Sequence, residues 1–324
     1  MLNKFTYQRA RSIKEAVEAA SRPGTRILGG GTDLLGCLRD EVFTAERVVS
    51  LSGVKELKGI TARPGGGLRI GALATLAEIA GHAKVLESYP VLAQAAAAAA
   101  SPQLRNQGTL GGNLCQRPRC WYFRGDFHCR RKGGEICFAE TGENQFHCIF
   151  GGDRCYIVHP SDTAPALVAL EARVSIAGRK GPRTIPLAKF FVTPATSIVK
   201  ENVLEPGEFI TEVLLDPPPP GARSTYRKIR ERGAFDFATA GAAIVLTTAE
   251  GKVRTARVVL SGVAPIPWRS AEAEKALVGK TLDAAAVSEA AAAAVKDALP
   301  LGGNEYKVPL VRGMLEETLL GLAG

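Results

Sequence analysis

The sequence predicts an α+β protein in two parts, residues 1–220 and 221–324. Three observations predict it. The first part alternates short strand-like and helix-like runs around glycine-rich turns, a βαβ-like pattern. Four consecutive prolines, Pro217 to Pro220, then break all regular structure. Beyond them come three strand-like runs and then helices, as expected of a small antiparallel sheet covered by helices. With 324 residues, 46% of them hydrophobic and 23% charged, the chain can bury real cores in both parts.

Each element has its own signal. Ser12-Ile13-Lys14-Glu15 has the form of a capping box and opens a helix ending near Arg22-Pro23. A strand over 26–28 runs into Gly29-Gly30-Gly31-Thr32-Asp33-Leu34, and another lies near 47–51, giving a first subdomain over about 1–52. A strand over 68–71, a second capping box at Thr75 and Glu78, and an alanine-rich helix over 89–100 open the second subdomain, 53–220. That helix stops at Ser101-Pro102, because proline disfavours helix in the residue before it. A second glycine-rich loop follows at 105–113, containing Gly108-Thr109-Leu110-Gly111-Gly112-Asn113. Strands are expected over 174–177, 183–185 and 209–215. After the prolines, 226–230, 239–248 and 253–263 read as three antiparallel strands, and 270–277, 282–299 and 310–322 as helices.

Bulk properties narrow the function only slightly. No apolar run is long enough to cross a bilayer. Met1 to Arg11 is polar and basic with no apolar segment behind it, so a cytoplasmic protein is expected; a partner carrying an export signal would place it in the periplasm. The net charge of +9 suits an acidic partner or nucleic acid. Only residues 117–132 mix several arginines with aromatics (Trp121, Tyr122, Phe123), and that stretch contains something more specific.

Six of the seven cysteines fall between Cys115 and Cys155, in a segment with neither helical nor strand period. An irregular stretch of this length is usually functional, and thiolate ligands would replace its missing core. Cys120, Cys129, Cys137 and Cys155 are spaced for a four-thiolate [4Fe–4S] cluster. Spacing alone leaves zinc and structural or redox thiols open, although the absence of a C-x-x-C pair counts against a zinc ribbon. The histidines of this window are read as solvated loop residues. The two glycine loops let backbone N–H groups approach a phosphate without Cβ interference, and together they suggest a dinucleotide held by its diphosphate. Neither is a Walker loop, since no Lys-Ser/Thr follows.

Taken together, the two glycine loops, Ser161-Asp162-Thr163-Ala164-Pro165 and Tyr226-Arg227-Lys228-Ile229-Arg230 resemble the FAD-binding medium subunit of the xanthine dehydrogenase and carbon monoxide dehydrogenase superfamily, over essentially the whole chain. The segment 113–123, with Arg119-Cys120-Trp121-Tyr122, further resembles the subgroup with an inserted [4Fe–4S] loop: the β subunit of 4-hydroxybenzoyl-CoA reductase and the FAD subunit of bacterial aldehyde oxidoreductases. The resemblance implies a p-cresol methylhydroxylase-type FAD-binding fold in two subdomains, with an iron–sulfur loop over 115–156, plus the C-terminal domain. It implies that Gly29, Gly30, Gly31, Thr32, Asp33, Leu34, Gly108, Thr109, Gly111, Gly112 and Asn113 hold the diphosphate. Asp162 would bind the ribose or adenine side, Lys228 would lie near the isoalloxazine, and Trp121 would pack on the cofactor. Cys120, Cys129, Cys137 and Cys155 would hold the cluster, with Cys148 as a competing ligand and Cys115 near the FAD. No residue of this chain would be catalytic towards substrate. Partners would be a large subunit with the molybdenum cofactor, a small subunit with [2Fe–2S] clusters, and a ferredoxin or other one-electron carrier. The basic 117–132 stretch is itself read as docking an acidic carrier or a partner subunit. Two rival readings are a basic zinc or iron–sulfur nucleic-acid-binding protein and a free-standing flavoenzyme of the p-cresol methylhydroxylase or alcohol oxidase type.

Overall fold

The computed structural model describes residues 2–323; Met1 and Gly324, the outermost residues of the two expected parts, lie outside the described residues. The chain opens with β1 (Thr6–Arg9), α1 (Ile13–Ala20), β2 (Thr25–Leu28), α2 (Leu34–Arg39) and β3 (Arg47–Ser50), and the three strands form a parallel sheet in the order β1-β3-β2. Ser12 caps α1 by accepting the Glu15 N–H, but the Glu15 carboxylate reaches back to the Arg11 N–H, so the expected reciprocal box is closed one residue early. β1 has no counterpart in the sequence reading, because its side chains are mostly exposed and carry no apolar alternation.

The next part is built on a five-stranded antiparallel sheet in the order β4-β5-β8-β6-β7, from β4 (Ile60–Ala62), β5 (Leu68–Gly71), β6 (Arg173–Ala177), β7 (Arg183–Pro186) and β8 (Phe209–Leu215). Between β5 and β6 lie α3 (Leu76–Gly81), α4 (Ala83–Ser88), α5 (Pro90–Ala98), α6 (Pro102–Gln107), α7 (Leu110–Leu114), α8 (Trp121–Arg124) and α9 (Thr163–Ala169). Thr75 and Glu78 form the complete capping box of α3. The second glycine-rich loop is shorter than expected. Ser101 caps α6 and Thr109 caps α7, so only Gly108 and Thr109 separate two short helices.

After the prolines, β9 (Arg223–Ile229), β10 (Ala240–Ala249), β11 (Lys252–Ser261) and β12 (Trp268–Arg269) form an antiparallel sheet in the order β12-β11-β10-β9. It has four strands rather than three, the fourth being a two-residue edge pair. Then come α10 (Ala271–Leu277), α11 (Ala284–Val295) and α12 (Lys307–Gly321). One face of this sheet packs on those helices through Ile244, Leu246, Val258, Leu277, Val287 and Leu315. The other face, through Tyr226, Ala243 and Val259, joins the core of the central part with Leu92, Leu110, Leu167 and Phe190. Among the described residues no helix is long and apolar enough to cross a membrane.

Candidate functional site

The two glycine loops meet. Gly31 follows β2 at φ +80°, a left-handed turn that an L side chain rarely adopts. A Cβ on Gly30 would stand 1.9 Å from the Gln107 carbonyl oxygen, and Gln107 in turn donates to the Gly30 carbonyl at 3.0 Å. Glycine at position 30 is therefore required by the approach of the other loop. Leu34 begins α2, and Asp33 at its start makes no cap bond. Its carboxylate instead accepts the Arg117 N–H at 2.7 Å and pairs with Arg119 at 2.9 Å and Arg124 at 2.7 Å. Asp33 thus ties the first loop to the start of the cysteine segment. Asn113, at the end of the second loop, accepts hydrogen bonds from the Ser161 and Thr163 hydroxyls.

A cavity of about 460 Å³ opens beside these loops, within the range of small-molecule and cofactor sites. Its wall includes Arg119, Cys120, Trp121, His147, His159 and Asp162, and the β9–β10 connection closes it with Glu231, Arg232, Asp236 and Phe237. The Arg119 guanidinium lies over the Phe237 ring at 4.8 Å while pairing with Asp33, so one side chain links cavity and glycine loop. Trp121 lines the cavity, 41% exposed, edge-on to Phe146.

Asp162 is buried at the cavity and holds two partners. Tyr226 donates its hydroxyl to Oδ1 at 2.7 Å, and Lys228 Nζ donates to Oδ2 at 2.8 Å. Burial raises the Asp162 carboxyl above its ordinary value, and the Lys228 charge and both hydrogen bonds oppose that rise. The Ser161–Pro165 and Tyr226–Arg230 motifs are therefore one buried polar cluster. Lys228 also donates to the Ala98 carbonyl at the end of α5, as does Arg230.

The cysteine segment folds around a second, narrow cavity of about 10 Å³. Cys120, Cys129, Cys137 and Cys155 all line it, with Tyr122, Phe123, Phe138, Tyr156 and Ile157 around them. The Cys120 sulfur receives main-chain N–H groups of Tyr122 and Phe123, and that of Cys137 those of Ala139 and Tyr156. Burial nevertheless pushes the Cys120 thiol up to about 12, and raises that of Cys137. Cys148 is buried outside this ring, its sulfur against Gly152, and Cys115 is not part of it either. All seven cysteines are free thiols. Among the described residues no three His, Cys, Asp or Glu side chains converge closely enough to hold a single metal ion.

Two expectations are corrected. His147 and His159 are buried, not solvated, and burial lowers both to about 4; for His147 the nearby Lys307 charge adds to the effect. The basic stretch is not a free docking patch. Arg131 is buried on Glu201 at 2.6 Å, Arg117 pairs with the same carboxylate, and Arg119 and Arg124 are held by Asp33. Arg130 pairs with Glu140, and Lys132 donates to the Gly125 carbonyl. Arg119 and the 231–237 connection were missing from the sequence-derived site; the position of Arg119 next to Cys120 was the only local signal.

Comparison with known proteins agrees with this architecture. Residues 3–218 match the FAD binding domain in molybdopterin dehydrogenase, and residues 224–322 match the CO dehydrogenase flavoprotein C-terminal domain. The chain is 38% identical over 324 residues to the aldehyde oxidoreductase FAD-binding subunit PaoB of Escherichia coli (strain K12), covering 98% of each. It is 29% identical to the carbon monoxide dehydrogenase medium chain of Afipia carboxidovorans, covering 97% of this chain and 95% of that one. Among solved structures, a chain of the Cu,Mo-CO dehydrogenase in its cyanide-inactivated form superposes with a TM-score of 0.78 at 28% identity, covering 98% of this chain and 96% of that one. The chain belongs to the FAD-binding medium subunits of the xanthine dehydrogenase and carbon monoxide dehydrogenase family, and is an oxidoreductase subunit.

Proposed function

We propose that this chain is the FAD- and [4Fe–4S]-carrying electron-transfer subunit of a heteromeric molybdenum hydroxylase acting on an aldehyde or aromatic substrate. The observation that carries this reading is the convergence of Cys120, Cys129, Cys137 and Cys155 on one cavity that shares a wall with the larger one. A cubane presents each thiolate to a different iron, so its four sulfurs surround a space wider than one ion. The main-chain N–H groups aimed at Cys120 and Cys137 suit thiolates, since they stabilise the charged form that burial opposes.

In this reading the backbone of Gly29 to Leu34 and of Gly108, Thr109 and Gly111 to Asn113 holds the FAD diphosphate, and the larger cavity takes one end of the cofactor. Trp121 packs on it. Asp162 bonds it while orienting Lys228 through their 2.8 Å hydrogen bond. FAD, when bound, supplies the exchange between two-electron and one-electron chemistry. The chain's own residues bind, orient and exclude water; none acts on substrate. The functional division falls at the four prolines: a FAD-binding domain, 1–220, with subdomains about 1–52 and 53–220, and a C-terminal domain, 221–324.

The molybdenum cofactor and [2Fe–2S] clusters belong to partner subunits, and a one-electron carrier such as a ferredoxin is an external partner that docks elsewhere than on the 117–132 arginines. The preference for aldehydes follows the name of the PaoB relative. The three cysteines outside the cluster are free thiols, which suits a reducing compartment, hence the cytoplasm. The test is an anaerobic absorption spectrum with iron and flavin counts on the purified chain. Flavin bands, a broad shoulder in the 400-nm region and about four irons per chain, as a four-thiolate cubane requires, are the expected result. Flavin without iron removes the cluster from the reading. Zinc without flavin would favour the nucleic-acid alternative.

A further inference from the structure

Cys120 and His147 are the two residues that line both cavities. They also touch each other, with His147 Nε2 3.3 Å from Cys120 Sγ. The ring is held in place from several sides. Trp121 stands edge-on to it at 6.4 Å and Tyr122 lies tilted at 6.2 Å. Asn304 Nδ2 clamps the His147 carbonyl at 3.0 Å. A Cys120 thiolate can only accept a hydrogen bond, so the nitrogen that faces it, Nε2, must carry the proton in that state, which leaves Nδ1 as the acceptor nitrogen of the ring.

We propose that His147 is a positioning residue for the iron–sulfur ligand Cys120: its Nε2–H donates to the Cys120 thiolate at the wall between the two cofactor cavities and sets the reduction potential of the cluster. This rests on the cluster reading above. Hydrogen bonds to ligand sulfur stabilise the reduced, more negative cluster and so raise its potential. Of the four cysteines in the ring, Cys120 is the one on the flavin side, so the bond tunes the thiolate at which the two cofactors come closest.

The test is a redox titration of the full chain, followed by electron paramagnetic resonance of the reduced cluster, on the wild type, His147→Phe and His147→Gln. Phenylalanine keeps the packing against Trp121 and Tyr122 and removes the donor; glutamine keeps an N–H. The expected result is a potential shifted downward in H147F and largely restored in H147Q, with iron and flavin counts unchanged. A second measurement needs no variant: wild-type protein labelled with 15N-histidine should give a histidine nitrogen coupling in the pulsed spectrum of the reduced cluster. An intact cluster with the same potential in H147F, or with no histidine coupling in the wild type, overturns the role of His147 alone. A wild-type chain without any cluster signal overturns it together with the reading on which it rests.

Discussion

The Asp162–Lys228 pair illustrates how one residue's chemistry depends on another far away in sequence. Both side chains are almost completely buried, and each is compensated by the other, by Tyr226 and by the Ala98 carbonyl. Removing one partner leaves an uncompensated buried charge, which is far more costly than replacing both. Lys228→Met should therefore destabilise the fold by about 3–5 kcal/mol at neutral pH. The pH dependence follows from the direction of the Asp162 shift. Burial already favours the protonated carboxyl, and without Lys228 nothing cationic at 2.8 Å opposes it. A folded-state pKa raised above the unfolded value favours folding below the unfolded pKa, and that contribution is lost as pH rises through the folded pKa. The variant should be least impaired in acid and most impaired at neutral pH. Asp162→Asn in the K228M background should recover much of the loss. Urea midpoints of the three proteins between pH 4 and 8 check this; a K228M deficit that does not change with pH would mean that Asp162 is not the group left uncompensated.

Among the elements, the loop that carries the cysteines is stabilised less by its own regular structure than by the turn before α12. Asn304 Nδ2 donates to the His147 and Cys148 carbonyls, Gly303 N–H to Asn144 Oδ1, Tyr306 to the Gln145 carbonyl, and Lys307 Nζ to the Phe146 and Gly262 carbonyls. Asn304→Ala leaves two buried carbonyls without partners and should cost about 1–3 kcal/mol. Faster amide exchange confined to 144–150, with the helices of the last part unchanged, is the expected signature; uniform exchange along the chain would refute the clamp. This also explains what the sequence could and could not reveal. The caps at Ser12 and Thr75, the proline break and the long strands β10 and β11 are local signals, legible because neighbours within a few residues decide them. The spacing of Cys120, Cys129, Cys137 and Cys155 marked out the four cysteines that line one cavity. The burial of His147 was not, because its main-chain partner lies 157 residues downstream. The spacing of Arg117, Arg119 and Arg124 suggested a surface patch, and only the fold reveals that Asp33 and Glu201 neutralise them.

At the scale of the whole molecule, the proline break falls between the two family matches but does not divide the core. The face of the last sheet formed by Tyr226, Ala243 and Val259 is buried with Leu92, Leu110, Leu167 and Phe190 of the central part. Strand β9 also hydrogen-bonds along α5: Gln94 accepts from Thr225 and from the Tyr226 N–H, and Ser224 accepts the Val91 N–H. A fragment ending at residue 220 would expose that apolar face, strand the Gln94 acceptor and leave Asp162 without Tyr226 and Lys228. Each of these is severely destabilising, and together they are comparable with the whole stability of a folded domain, about 5–15 kcal/mol. We therefore expect the 1–220 fragment to be expanded or aggregated and to retain no FAD, although every residue of both glycine loops is present. The full chain should unfold in one transition, observed alike by flavin release, far-ultraviolet circular dichroism and Trp121 or Trp268 fluorescence. A fragment that binds FAD with full-length affinity, or two well-separated transitions in the full chain, would mean that the shared core contributes little and that the two parts are energetically independent.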